Sequence, residues 1–128
     1  MRLQSDLLDV FLAVCDGRLD QIRLQWDPRP AVCVVMASGG YPNAYEKGKI
    51  ISGIAQAESL ADVVVFHAGT KQQDGHVVTN GGRVLGVTAL GQDIAAAKTR
   101  AYEAVDCIAF EGACCRRDIS DKAIRRLR

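Results

Sequence analysis

The feature that most constrains the fold of this chain is a run of seven consecutive apolar residues at positions 31–37. Turn-forming residues bound this run on both sides, with prolines at 28 and 30 and glycines at 39 and 40. A short apolar run between such breaks is typical of a buried strand. The segment 62–67 has the same character, so the sequence predicts a β core.

Turn signals divide the rest of the region 31–90 into further short strands. Asp74-Gly75 and Asn80-Gly81 are dipeptides typical of hairpin turns. Positions 83–89 are predicted to form the last strand, in which Gly86 marks a bulge or a close backbone approach. The region 31–90 is therefore predicted to be mostly β.

Two amphipathic helices are predicted on either side of this β region. Ser5 is predicted to cap the first helix, in which apolar residues between positions 7 and 15 recur on one face before Gly17. The second helix is predicted over 92–108, where a stripe of mostly small apolar residues favours close packing on a sheet. The predicted fold class is therefore α+β.

Three weaker patterns complete the prediction. The alternation of Ile22, Leu24 and Trp26 predicts a strand with one buried face, and positions 49–51 are compatible with another short strand. Ser120 is predicted to cap a short last helix.

Composition excludes several classes of function. A chain of 128 residues fits one domain with its own core. Its net charge of +1 provides no broad field for nucleic acid or an anionic membrane surface. No apolar segment approaches the roughly 20 residues of a membrane helix, and a cytoplasmic location is expected. The 5 cysteines form no CxxC pair, so free thiols are predicted and no metal site is assigned.

Two loops carry residues suited to binding an anion. The first, at 41–48, contains two tyrosines, Glu46 and Lys47, and the second, at 79–83, places Arg83 after two glycines. Glycines let backbone N–H groups approach a ligand, and arginine binds phosphate through two hydrogen bonds. The alternative is purely structural, because Asn-Gly is a common hairpin turn and single charged residues are usually solvated.

Other candidate residues favour structural roles. His67 has no partner that would make it a general base, and Cys114-Cys115 are expected to be packed thiols despite the arginines that follow. No nucleophile-and-base pattern, paired carboxylates or phosphate loop is present. No catalytic residue is therefore assigned.

Five separated motifs resemble one known family. They occur in this order and spacing: Gly40-Tyr41-Pro42, Tyr45-Glu46-Lys47-Gly48, Phe66-His67-Ala68-Gly69-Thr70, Thr79 to Val87, and Arg116-Arg117-Asp118-Ile119. Together they resemble the C-terminal part of the phosphoribosylamine–glycine ligases, also called glycinamide ribonucleotide synthetases, over nearly the whole chain.

The resemblance implies the fold and the domain division. It implies a small, mostly antiparallel sheet or barrel-like domain with flanking helices, belonging to an ATP-grasp ligase. Residues 1–30 would end the ATP-grasp region with a helix and a strand, 31–119 would form a substrate-covering domain, and 120–128 a basic tail. Met1-Arg2-Leu3 matches an internal stretch of the family, so a truncation or split gene is expected.

The resemblance also implies an activity. Members join glycine to phosphoribosylamine in purine synthesis, hydrolysing ATP to ADP through a glycyl phosphate with Mg²⁺ or Mn²⁺. The ATP-binding and metal-binding residues of the family lie upstream of this sequence, so neither ATP nor metal is expected to bind this chain alone. The expected partners are the missing N-terminal and ATP-grasp domains and the small-molecule substrate, phosphoribosylamine or glycinamide ribonucleotide.

The predicted substrate-binding set has no catalytic or metal-binding member, and within it Lys47 and Arg83 are the residues carried over from the resemblance. The set comprises Tyr45, Glu46, Lys47, Gly81, Gly82 and Arg83. Lys47 and Arg83 would hold the ribose phosphate, Glu46 would orient Lys47, and the two glycines would complete a backbone cradle.

Departures from the family pattern bear mainly on the first loop and the tail. They are Asn43-Ala44 in place of Gly-Ser, Cys114-Cys115 in place of bulkier residues, and Ser120-Asp121 in place of Gly-His. Two alternatives to the ligase domain stay open, namely a stand-alone phosphoriboside-binding module and an inert structural fragment that self-associates.

Overall fold

The computed structural model of this chain describes residues 1–127. The elements are, in chain order, α1 (Leu7–Cys15), a short 3-10 helix (Leu19–Gln21), β1 (Ala31–Ala37), α2 (Ile54–Glu58), β2 (Val63–His67), β3 (Thr70–Gln73), β4 (His76–Thr79), β5 (Arg83–Leu90), α3 (Ile94–Cys107), β6 (Cys114–Cys115) and α4 (Asp121–Arg126). All strand pairs are antiparallel. The predicted α+β class, with a mostly antiparallel sheet and flanking helices, is confirmed.

A four-stranded sheet in the order β2-β5-β1-β6 forms the centre of the fold. The apolar run at 31–37 is its strand β1, as predicted. Only alternate side chains of β1 enter the core: Val32, Val34 and Met36 are buried, whereas Cys33 and Val35 lie on the opposite face. The strand is therefore half-buried rather than covered on both faces.

Helix α3 packs on the core face of this sheet through very small side chains. Ala97, Ala101 and Ala104 are fully buried there, as the predicted stripe requires. Asp93 caps the helix by accepting a hydrogen bond from the Ala96 N–H at 2.7 Å. The short helix α2 packs beside α3 and closes the core with Ala57.

Strands β3 and β4 form a separate hairpin around Asp74-Gly75, as predicted. The second hairpin prediction, at Asn80-Gly81, is wrong, because β4 and β5 belong to different sheets. The prediction that 83–89 is the last strand is also wrong, since β6 follows it and pairs with β1. A two-residue strand has too short a pattern to be recognised in the sequence.

The register shift in β5 lies between Arg83 and Leu85, before the bulge predicted at Gly86. Gly86 pairs in register with Val35, and the register shifts between Met36 and Ala37, which pair with Leu85 and Arg83. A Cβ atom on Gly86 would lie 3.4 Å from the Cys33 sulfur, an ordinary van der Waals contact, so neither a bulge nor a close backbone approach is centred on this glycine.

The N-terminal segment differs from its prediction in two details. Asp6 caps α1 by accepting from the Leu8 N–H at 2.8 Å, whereas the Ser5 hydroxyl accepts from the Gln25 N–H at 2.7 Å. The strand expected over 22–26 is absent from the described chain, which has an isolated bridge between Leu3 and Trp26. A single bridge is not a ladder of paired residues, so the segment 22–26 does not form a strand.

Helix α1 exposes most of its apolar side chains. Ala13 is its one buried residue among those described, whereas Leu8 is 63% and Phe11 58% exposed. Within residues 1–127, no helix has the length and apolar character needed to cross a membrane.

The C-terminal segment is tied to α3 by Tyr102. Its hydroxyl donates to the Arg116 carbonyl at 2.7 Å and accepts from the Ile119 N–H at 3.2 Å. The predicted last helix is present as α4, but Ser120 makes no side-chain capping bond and has φ of 70°.

The short strand considered at 49–51 is not formed. Ile50 makes an isolated bridge to Val78 at β4, and Ser52 makes another to Ala109. These bridges link the hairpin and the loop before β6 to the rest of the fold.

The sheet face opposite α3 is open and apolar. Val35 and Phe66 flank Gly86 in neighbouring strands on this face, and they are 43% and 48% exposed. Val64 adds to the same surface.

Candidate functional site

Loops meet at the end of the sheet where β1 and β2 finish and β5 begins. Ser38 donates from its backbone N–H to the Gly82 carbonyl at 2.8 Å and from its hydroxyl to the Gly81 carbonyl at 2.9 Å. The Gly69 N–H donates to the Arg83 carbonyl at 2.9 Å. We call these five residues, Ser38, Gly69, Gly81, Gly82 and Arg83, the glycine platform.

Glycine is required on the platform because the backbones lie very close together. A Cβ atom on Gly69 would lie 2.7 Å from the Gly81 Cα, and one on Gly82 would lie 2.1 Å from Cδ2 of Tyr41. Gly82 is buried beneath the Tyr41 ring, whereas Gly81 is partly exposed. The Gly81 N–H, which donates to no acceptor in the described chain, is therefore the more accessible of the two predicted backbone donors.

Arg83 stands at the beginning of β5 with an exposed side chain. It forms no salt bridge with any residue between 1 and 127. Two surface cavities, of about 470 and 590 Å³, flank it and share Val35, Tyr41 and Arg83 in their walls. An arginine without a carboxylate partner beside apolar walls is suited to binding an anionic ligand.

The cavity of about 470 Å³ is also lined by Arg116, whose guanidinium is already paired with a carboxylate. Arg116 lines the cavity and donates to both carboxylate oxygens of Asp118, at 2.9 and 2.6 Å. This bidentate pair raises the pKa of Arg116 and lowers that of Asp118. Among the lining cations, Arg83 is the one with its charge uncompensated within the described residues.

Glu46 contacts Lys49 rather than Lys47. The Lys49 ammonium lies 2.8 Å from Glu46 and 2.9 Å from Glu111, so it joins the loop at 41–48 to the loop before β6. The hydrogen bond to Glu46 is the larger cause that raises the pKa of Lys49, and the same bond lowers that of Glu46. Glu46 therefore does not orient Lys47 as predicted. Lys47 lies exposed in the same loop.

The six predicted site residues fall into separate groups. Gly81, Gly82 and Arg83 belong to the glycine platform, whereas Tyr45 and Glu46 line a different cavity of about 450 Å³ with Lys49. The two cavities beside Arg83 have neither Tyr45 nor Glu46 in their walls.

The predicted site set leaves out Tyr41 and Lys49. Both lie in or next to the loop motif at 41–48, but their roles depend on contacts with residues 82 and 111. Spacing along the sequence carries no signal for contacts over such separations.

The remaining candidates have structural contacts. His67 Nδ1 lies 3.0 Å from the Thr70 hydroxyl, across the turn between β2 and β3. Cys114 and Cys115 form β6, and the five cysteines of the described chain are free. Residues 1–127 contain no group of three His, Cys, Asp or Glu side chains that could hold a metal ion.

The fold and the glycine platform define a small α+β domain that presents one uncompensated arginine at the end of an open sheet. Residues 31–122 match the family described as phosphoribosylglycinamide synthetase, C domain, and the chain belongs to this family.

Its relatives carry the name phosphoribosylamine–glycine ligase. The protein of that name from Rhodopirellula baltica is 59% identical over 97% of this chain and 29% of its own length. That from Allochromatium vinosum is 55% identical over 100% of this chain and 30% of its own length. This chain therefore matches the C-terminal domain of these ligases and spans less than a third of their length.

A solved structure agrees with this relation. A crystal structure of phosphoribosylamine–glycine ligase from Thermotoga maritima superposes with a TM-score of 0.66 at 37% identity. The superposition covers 84% of this chain and 27% of that one. The resemblance found in the sequence motifs is thereby confirmed.

Proposed function

We propose that this chain is the substrate-covering part of an ATP-dependent ligase that joins glycine to phosphoribosylamine. The single observation that carries the proposal is Arg83, exposed on the glycine platform with no carboxylate partner in the described chain, in a domain of this family. The boundaries proposed from the sequence, 1–30, 31–119 and 120–128, stay a prediction.

Arg83 holds the ribose phosphate in this proposal. Its planar guanidinium donates two parallel hydrogen bonds to two phosphate oxygens, and the phosphate charge strengthens both bonds. The Gly81 N–H donates to a third oxygen, and Lys47 adds a second positive charge from the neighbouring loop. Tyr45 and Glu46, in the cavity beside Lys49, contact the substrate away from its phosphate.

ATP and the divalent metal belong to the upstream part of the ligase. The family residues that would hold ATP and the metal lie upstream of this sequence, so the proposal assigns no catalytic step to this chain. Its contribution is to bind and orient the phosphoribosyl group against the upstream catalytic parts.

A chimera tests the proposal. This chain replaces the matching C-terminal part of the Rhodopirellula baltica relative, to which it is 59% identical. The expected result is glycine-dependent ADP release that requires phosphoribosylamine. A chimera that folds, with a cooperative melt like that of the parent, but releases no ADP would overturn the proposal.

Substitution of Arg83 in the chimera tests the site. Arg83→Ala removes a charge-assisted contact of about 1.5–3 kcal/mol, so the KM for phosphoribosylamine is expected to rise roughly 10- to 100-fold. Arg100→Ala is the matched control, because Arg100 lies on α3 and pairs with Glu103 at 3.6 Å. Equal KM values in the two variants would refute the role of Arg83.

A further inference from the structure

Tyr41 lies outside the predicted site set and packs against one of its members, Gly82. Its ring covers Gly82, since a Cβ atom on that glycine would lie 2.1 Å from Cδ2 and 2.6 Å from Cε2 of the ring. Gly82 directly precedes Arg83 in the chain. The ring thus lies on the turn that carries the uncompensated guanidinium.

The loop that carries Tyr41 is tightly folded. Gly40 has φ of 90°, and a Cβ atom there would lie 2.1 Å from the Ala44 carbonyl oxygen. The Tyr41 N–H donates to the Ser38 carbonyl at 3.1 Å, and Tyr45 touches the Tyr41 ring edge-on with centroids 6.1 Å apart. These contacts fix the ring while leaving part of it exposed.

Tyr41 forms a wall of both cavities beside Arg83 and is 41% exposed. Its hydroxyl makes no hydrogen bond to any other residue between 1 and 127. An aromatic ring with a polar tip, held beside a cation, offers an apolar surface and one hydrogen-bonding group to the same ligand.

We propose that Tyr41 is a substrate-specificity residue that packs against the ribose of the phosphoribosyl group. The inference rests on the proposed function, because the phosphate at Arg83 brings the sugar attached to it beside the Tyr41 ring. The ring contacts the C–H groups of the sugar, and the phenol hydroxyl donates to a ribose hydroxyl. Gly82 is glycine because a side chain there would push the ring away from Arg83.

The chimera with the Rhodopirellula baltica relative separates this inference from the proposed function. Its activity without further substitution is measured first, and only that activity decides the proposed function. The KM values for phosphoribosylamine, glycine and ATP are then measured separately in Tyr41→Ala, Tyr41→Phe and Gly82→Ala.

Tyr41→Ala is expected to raise the KM for phosphoribosylamine roughly tenfold and to leave those for glycine and ATP unchanged. Tyr41→Phe, which retains the ring, is expected to raise the same KM about threefold by loss of one hydrogen bond. Gly82→Ala is expected to resemble Tyr41→Ala, because it displaces the ring while keeping the phenol.

Tyr102→Phe is the matched control for removal of a hydroxyl. Tyr102 bonds the backbone of the C-terminal segment, so this substitution is expected to lower the melting temperature and leave the KM for phosphoribosylamine unchanged. The inference is overturned if Tyr41→Ala retains the parental KM for phosphoribosylamine. It is equally overturned if all three KM values rise together with a lower melting temperature, since that pattern reports a structural role.

Discussion

Ser120 adopts a backbone conformation that its side chain disfavours. It has φ of 70° and ψ of −2° directly before α4. L-residues lose roughly 1–2 kcal/mol in this left-handed region, which glycine occupies without steric cost. Because the serine makes no capping bond there, Ser120→Gly is expected to stabilise the chain by about 0.5–1 kcal/mol, after the greater freedom of glycine in the unfolded state is subtracted. Urea unfolding monitored by circular dichroism measures the change.

Ser59→Gly is the control for this prediction. Ser59 follows α2 with φ of −72°, and its hydroxyl donates to the Gln56 carbonyl at 2.7 Å. The substitution is expected to destabilise the chain, since no left-handed strain is relieved. A loss of stability in both glycine variants would contradict the proposed strain at Ser120.

Asp27 makes the stability of the chain depend on pH. Hydrogen bonds from Arg29, at 2.8 Å from Nη2 and 2.9 Å from the backbone N–H, lower the pKa of its carboxyl group. A lowered pKa in the folded state stabilises the fold above the unfolded-state pKa of about 3.9. That contribution is expected to be lost as the pH falls through the lower, folded-state value.

Urea unfolding of the parent and Asp27→Asn at a series of pH values measures this contribution. The variant is expected to be less stable than the parent near pH 7 and to lose less stability on acidification. Glu46 and Asp118 also have lowered pKa values and remain in both proteins, so the difference between the two curves isolates Asp27. Parallel curves would contradict the role of Asp27.

At the scale of the site, residue types were more predictable than contacts. Arg83 was assigned through the family resemblance, because by spacing alone two glycines before an arginine fit an ordinary turn. The predicted partner of Glu46 was Lys47, but the ammonium in contact with it is that of Lys49, which also reaches Glu111, 62 positions away.

At the scale of elements, long periodic patterns predicted the structure and short ones did not. Strand β1 and helix α3 follow from a bounded apolar run and from a stripe of alanines, both of which reflect burial against the sheet core. The alternation at 22–26 wrongly predicted a strand. Among the described residues, this segment has one isolated bridge, between Leu3 and Trp26. The hairpin predicted at Asn80-Gly81 is wrong because this turn connects strands of two different sheets. Which sheet a strand joins depends on tertiary contacts that the turn residues do not indicate.

Helix α1 shows the same limit in another way. Its period was correctly predicted, but the apolar face that the period implies is not buried within the described chain. A periodic apolar pattern predicts that one face of a helix is buried, but it does not identify the part of the protein that buries that face.

At the scale of the whole molecule, residues 1–127 present two apolar surfaces outside the core. One is the face of α1 around Leu8 and Phe11, and the other is the open sheet face around Val35 and Phe66. Exposed apolar surface of this kind commonly marks an interface. This chain spans 29% of the Rhodopirellula baltica relative, and the proposed function predicts that the remaining part of such a ligase contacts the face of α1.

Complementation between separate chains is therefore expected. The isolated chain alone is expected to release no glycine-dependent ADP, whereas mixing it with the upstream part of the Rhodopirellula baltica relative is expected to give saturable activity. Phe11→Gln removes part of the apolar contact, about 1–1.5 kcal/mol for a half-exposed phenylalanine, so half-maximal activity is expected at a roughly tenfold higher chain concentration.

The covalent chimera provides the decisive comparison. A peptide link supplies an effective concentration on the order of millimolar, so the same Phe11→Gln substitution is expected to leave most of the activity of the chimera. Asp20→Asn, an exposed polar position after α1, controls for nonspecific effects and is expected to leave both assays unchanged. If Phe11→Gln lowered activity equally in the separate and linked forms, the helix would act on catalysis rather than association. If it altered neither form, the apolar face of α1 would not be the docking surface.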